Sequence, residues 1–212
     1  MMEFPVELEP IKNEVQRKIG RNLILFQQIE HIIKWLLARA KIEGYSSEFQ
    51  TSFDRQKKAI HQRTLGQLIC NYVEEMKPKA DVEGAEESHD RLKKCYLKVE
   101  TWLESDDPAY FERKKESLQA LKNERNELVH HLLPRLNPLS LESWKEVEKH
   151  LDLQREKILP ELDELQKRMQ AIQEAGKMLL EFFDSEEGRA WSTGQDISPQ
   201  IETGEHRVSP FQ

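Results

Sequence analysis

A guanidinium, a carboxamide and two imidazoles fall within seven consecutive residues of this chain, Arg125-Asn126-Glu127-Leu128-Val129-His130-His131. An arginine stays charged at any working pH and presents a fork of N–H donors to anionic oxygens, whereas an imidazole exchanges protons near neutrality. Phosphodiester chemistry asks for this pair: one group to stabilise charge building on a phosphoryl oxygen and one to move a proton. Asn126 and His130 are four residues apart, so on a helix they lie on one flank, where the amide can fix the ring. Arg125 is long enough to reach that flank. His131 points to a different face; it reads first as a surface residue and second as a reserve for His130.

These groups need a helix to hold them. Between Pro108 and Leu133 the apolar residues Leu118, Leu121, Leu128, Val129 and Leu132 gather on one side, with Arg125 in the middle of the stripe. An unpaired charge buried there would cost several kcal/mol, so Arg125 is expected to be hydrogen-bonded or to face a solvated cleft. Asp107-Pro108 marks the start, because Asp caps exposed N–H groups and Pro at the first helical position loses no hydrogen bond. Pro134 marks the expected end.

The rest of the chain reads as further helices. Phe26, Ile29, Ile33, Leu36 and Leu37 recur at helical spacing, which predicts a first helix from Leu8 to about Ile42, closed by Gly44. A polar loop and then a basic stretch, Arg55 to Arg63, come next. Thr64-Leu65-Gly66-Gln67 has the capping-box arrangement and predicts a helix from Leu65 to Met76 that buries Leu68, Ile69, Tyr72 and Val73. Leu92, Tyr96, Val99 and Leu103 fit one face of another helix. After Pro138 a long helical region runs from about Leu141 to Phe183, with Pro160 expected to kink or split it. From Asp184 the periodicity fails. The expectation is an all-α protein with a helical domain over residues 1–184 and a flexible C-terminal tail over 185–212.

Composition supports that class. Of 212 residues, 37% are hydrophobic, 33% are charged and only 8 are Gly, a balance that suits exposed helices with narrow buried stripes. The net charge of −7 excludes wholesale coating of nucleic acid, so any RNA contact must be local. Cys70 and Cys95 lack metal-ligand spacing and read as reduced core thiols. Residues 1–20 do not resemble a secretory signal, and the greasiest stretch, Asn22 to Ala40, is broken by polar residues; no membrane span and a cytoplasmic location are expected. Neither a P-loop, a dinucleotide glycine pattern, a zinc-binding His-Glu-x-x-His nor a serine elbow occurs, and His150 stands alone, so no cofactor or metal is expected.

The arginine, the polar residue beside it and the histidine five positions after the arginine resemble the signature of HEPN-domain ribonucleases, closing on Arg125, Asn126 and His130. Thr64-Leu65-Gly66-Gln67-Leu68-Ile69 is also similar to second-helix segments of some HEPN-like proteins. The resemblance covers roughly residues 8–183. It implies a HEPN-like four-helix-bundle core with additional helices, a homodimer that faces two motifs across a cleft, and metal-independent cleavage of RNA. In that mechanism His130 serves as general base or acid, Arg125 stabilises the phosphoryl charge and Asn126 positions one of them. Many such proteins resemble toxins or phage-defence effectors, which brings in an inhibitory partner protein. A subgroup carries a tyrosine two positions after the histidine, where this chain has Leu132, a departure that sets aside modification at that position.

Other readings stay open. The Arg-Asn-His trio serves equally as a satisfied polar cluster locking helices together, in a non-catalytic helical interaction or nucleotide-binding module. Arg55, Lys57, Lys58 and Arg63 are candidates for RNA contact, as are Arg113, Lys114 and Lys115, although a charge run is usually a solvated face. Glu30 is a reserve candidate beside the first helix's apolar stripe, with surface pairing as its plainer role.

Overall fold

The structure, a computed structural model, describes residues 8–45, 49–78 and 96–193. Its elements in chain order are α1 (Leu8–Ala40), β1 (Lys41–Tyr45), α2 (Phe49–His61), α3 (Leu65–Met76), β2 (Tyr96–Glu100), α4 (Tyr110–Asn126), a π-helical turn (Glu127–His131), α5 (Leu132–Arg135), α6 (Leu141–Asp184) and α7 (Glu186–Thr193). The chain divides into two compact units, residues 1–172 and 173–212.

In the first unit, three- and four-residue spacing of apolar side chains builds the core. From α1 come Val15, Phe26, Ile29, Ile33, Leu36 and Leu37; from α3 Leu68, Ile69, Tyr72 and Val73; from α4 Leu118 and Leu121; from α6 Leu151, Ile158, Leu162 and Leu165. Each such side chain contributes roughly 1.5–3 kcal/mol when removed from water. α3 begins as its sequence requires: Gln67 N donates to Thr64 Oγ1 while Thr64 N donates to Gln67 Oε1 at 2.9 Å, closing the capping box. The basic stretch belongs mostly to α2, which packs on α1 and β1 through buried Ile60 and half-buried Phe53.

Helix dominates, with one exception that the periodicity hid. β1 and β2 pair antiparallel, from Lys41 opposite Glu100 to Tyr45 opposite Tyr96. Gly44 therefore does not close the first helix; it lies within β1, opposite Leu97. Tyr96 and Val99 belong to a strand and Leu103 to the extended segment after it, so the expected helical face does not form there; Leu92 lies outside the described residues. The gain is hydrogen bonding. Thr101 N donates to Ala40 O at 2.8 Å and Leu103 N to Met76 O at 2.9 Å, which satisfies orphan carbonyls at the ends of both α1 and α3.

α4 starts two residues later than Pro108, after a turn in which Asp107 Oδ1 accepts from Ala109 N at 2.9 Å. Nor does the helical path end at Leu133. The π turn leads directly into α5, and Pro134 sits inside that helix, in its first turn, where its missing N–H costs little. Pro160 likewise leaves α6 unsplit over its 44 residues, because flanking Ile158, Leu162 and Leu165 are anchored in the core.

In the second unit, the segment read as the start of a tail forms α7. Ser185 caps it, its Oγ accepting from Gly188 N at 3.1 Å. A Cβ at residue 188 would lie 2.0 Å from Phe182 O, so the turn between α6 and α7 requires glycine there. The expected tail beyond residue 193 lies outside the described residues.

Cys70 is exposed rather than a core thiol, its Sγ 3.8 Å from the Gln119 Nε2 donor, because α3 turns Leu68, Ile69, Tyr72 and Val73 inward and position 70 outward. Cys95 lies outside the described residues. Among the described residues no helix is long and apolar enough to cross a membrane.

Candidate functional site

The end of α4 carries the motif. Arg125 is half-buried and donates from Nη1 to Asn126 Oδ1 at 3.2 Å, the hydrogen bond that its place on the stripe demands. Asn126 thus pairs with Arg125 and not with His130. The π turn explains this. Inserting one residue into the helical ladder rotates the residues downstream of it by about 100° from the α register, so four-residue spacing across the turn no longer stacks two side chains. The same rotation leaves Val129 45% exposed, off the stripe that Leu128 and Leu132 continue inward.

His130 and His131 both face solvent, with ring centroids 6.3 Å apart and planes at 70°. Neither imidazole hydrogen-bonds to a described residue. With Asn126 Oδ1 occupied, the amide N–H groups remain as donors, suited to an anionic oxygen.

A buried polar chain holds this register from below. Asn22, fully buried on α1, donates to Leu151 O at 2.8 Å and to Gln154 Oε1 at 2.9 Å. Gln154, also buried, donates at 3.2 Å to both the backbone oxygen and the carboxylate of Glu124, the residue before Arg125. Where the ladder changes from α to π, the Glu127 N–H is shared between Asn123 O and Glu124 O, and Gln154 gives Glu124 O a second donor. Lys157 Nζ lies 2.6 Å from Glu124 Oε1. Burial pushes the Glu124 carboxyl up, but the Lys157 and Gln154 hydrogen bonds outweigh it and hold the group below its ordinary value. Next to this chain, buried Lys18 of α1 bonds Glu148 at 2.8 Å and Asp152 at 2.6 Å on α6. The Lys18 hydrogen bond is the main reason the Asp152 carboxyl titrates low.

Beside the π turn, a groove of about 250 Å³ opens between that turn, α5 and the first turns of α6. Leu128, Leu132 and Val147 supply its apolar surface, and His131 and His150 its imidazoles. The groove therefore belongs to His131 and not to His130. Glu127 also lines it; its Oε2 is shielded from solvent and lies 2.8 Å from Arg135 Nη1, an ion pair without hydrogen-bond alignment. His150 Nε2 lies 3.6 Å from Glu124 Oε2, which links the groove to the polar chain.

The remaining candidates stand apart from the motif. Arg55, Lys57 and Lys58 on α2, and Arg63 just after it, are exposed and make no described hydrogen bond to residues 125–131. Glu30 bonds Lys34 at 2.7 Å, one helical turn on. Lys114 is buried and paired at 2.5 Å with both Glu161 and Glu164, so it clamps α4 to α6 and is closed to RNA. Tyr72 belongs to the same cluster, where burial pushes its phenol well above the ordinary value despite the Arg168 guanidinium beside it. Among the described residues, no three His, Cys, Asp or Glu side chains are grouped to hold a metal ion.

Motif reasoning passes over Asn22 and Gln154, although a signal for them exists. Each is a polar residue on a largely apolar helical stripe, between Val15 and Phe26, where buried Lys18 also lies, and between Leu151 and Ile158, the same feature that marks Arg125. No family model matches the chain, and no curated protein or solved structure matches it.

Proposed function

We propose that this chain is a metal-independent endoribonuclease of HEPN type, acting through Arg125, Asn126 and His130. The observation that carries the reading is the π turn: it begins one residue after the Arg125–Asn126 pair and turns the imidazole of His130 to solvent. π turns occur frequently at functional sites, because the altered register is costly and is kept where it aims side chains.

In the reaction the 2′-hydroxyl attacks the adjacent phosphorus and forms the new P–O bond, while the P–O5′ bond breaks. His130 takes the hydroxyl proton or delivers one to the leaving oxygen, and the products are a 2′,3′-cyclic phosphate and a 5′-hydroxyl. Arg125 and the free N–H groups of Asn126 stabilise charge on the phosphoryl oxygens. The reading extends to a HEPN-like four-helix core drawn from α1, α3, α4 and α6, to a homodimer with facing motifs, and to a cytoplasmic toxin or phage-defence effector held by an inhibitory partner protein.

The test is cleavage of single-stranded RNA by purified protein in EDTA. Wild type is expected to cut and His130→Ala to lose at least about a hundredfold in rate with an unchanged melting temperature; cleavage at the wild-type rate by that variant overturns the reading. The rival, a non-catalytic helical module, draws on the half-burial of Arg125, and it predicts no cleavage and a melting temperature lowered by several degrees in Arg125→Ala.

A further inference from the structure

We propose that the groove beside the π turn is a nucleobase site that prefers bases with an exocyclic amino group, adenine, cytosine and guanine, over uracil. Its role next to a scissile phosphate rests on the ribonuclease reading; binding of the base does not.

Three features converge on a base. The apolar side chains Leu128, Leu132 and Val147 form a surface that a flat ring covers, and the imidazoles of His131 and His150 offer faces for stacking. A volume of about 250 Å³ is small, suited to one ring system and not to an extended ligand. His131 also stands 6.3 Å, centroid to centroid, from His130, so a base in the groove has its own backbone close to the proposed chemistry.

The fixed charges favour a base over a phosphate as occupant. Glu127 and Glu146 line the groove against one guanidinium, Arg135, which leaves one net negative charge when both imidazoles are neutral. Glu127 Oε2 is an acceptor with no hydrogen bond of its own, although Arg135 lies beside it. The Arg135 side chain is 73% exposed, so the pair is weakly held and the guanidinium swings aside readily. An N–H donor of a base completes that carboxylate, as acidic side chains accept from the amino group of cytosine. Uracil serves badly: its one free N–H lies between two carbonyl oxygens, and a carboxylate that reaches it meets both.

The experiment is equilibrium binding of AMP, CMP and UMP, measured by ligand-observed NMR, with RNA cleavage assayed in parallel. AMP and CMP are expected to bind about tenfold or more tightly than UMP. His150→Ala, a change at an exposed residue, is expected to weaken AMP and CMP by about tenfold, and Glu127→Gln to remove the preference over UMP. Val147→Trp is expected to fill the groove and abolish binding of all three. Equal binding of the three nucleotides, or binding untouched by both His150→Ala and Val147→Trp, overturns the proposal. Cleavage of RNA with no nucleotide preference removes the base site and leaves the ribonuclease reading; selective nucleotide binding without cleavage does the reverse.

Discussion

Replacing Gln154 with leucine tests whether a buried side chain of α6 sustains the end of α4. The change deletes three hydrogen bonds, one received from Asn22 Nδ2 at 2.9 Å and two given to Glu124 at 3.2 Å. Glu124 Oε2 is near solvent and Lys157, and can recover a partner, so that bond counts for little. One Asn22 N–H is left buried and unpaired, at roughly 1–3 kcal/mol, while Glu124 O keeps the Glu127 N–H and loses only its second donor, at about 0.5–1.5 kcal/mol. The apolar leucine returns about 1 kcal/mol of that. A net loss of ~0.5–3.5 kcal/mol results, which for a domain of this size lowers the melting temperature by about 1–14 °C. Calorimetry of wild type and Gln154→Leu reads it directly. Asn22→Leu in the Gln154→Leu background should cost less than the two single losses together, because a buried pair replaced from both sides leaves fewer groups unpaired. A melting temperature within about 1 °C of wild type for the single variant, or strict additivity in the double, refutes the role given to this chain.

Local chemistry sets two more outcomes. Thr64→Ala opens the capping box of α3 and is expected to cost ~1 kcal/mol, or about 2–4 °C by thermal melt, with Thr64→Ser close to wild type. Asp152 and Glu124 both titrate below their ordinary values of 3.8 and 4.5 in the fold, so their contribution is present above those values and is lost as pH falls through the lowered ones. The melting temperature should hold down to about pH 5 and fall on further acidification toward about pH 3; a flat profile over that interval refutes the assignment.

What the sequence disclosed and what it concealed divide along physical lines. α1, α3 and α6 were legible because their apolar residues recur over many turns, and α3 also shows its cap. α2 was not, since only Phe53 and Ile60 face inward among charged neighbours. Tyr96, Val99 and Leu103 satisfy helical spacing, yet the carbonyls of Ala40 and Met76 needed donors, and an extended chain supplies them. The π turn was invisible because a donor 30 residues away, Gln154, supports it; local propensity carries no trace of that. The site shows the same division. Arg125, Asn126 and His130 were legible as chemistry, whereas the partner that Asn126 takes, and the groove that His131 enters, depend on a register no window of sequence encodes.

The ribbon of β1 and β2 sets different tolerances for length and for phase. Tyr45 and Tyr96 are zipped side by side, so the roughly fifty residues between them leave and return at one place. Doubling the length of such an excursion adds only about 0.6 kcal/mol of closure entropy, because the cost grows with the logarithm of the number of residues. Sliding one strand by a single residue, in contrast, turns Ile42 and Val99 to opposite faces and pulls Thr101 away from the end of α1. Engineered insertions into the excursion outside α2 and α3 should therefore be forgiven, and single deletions inside either strand should not.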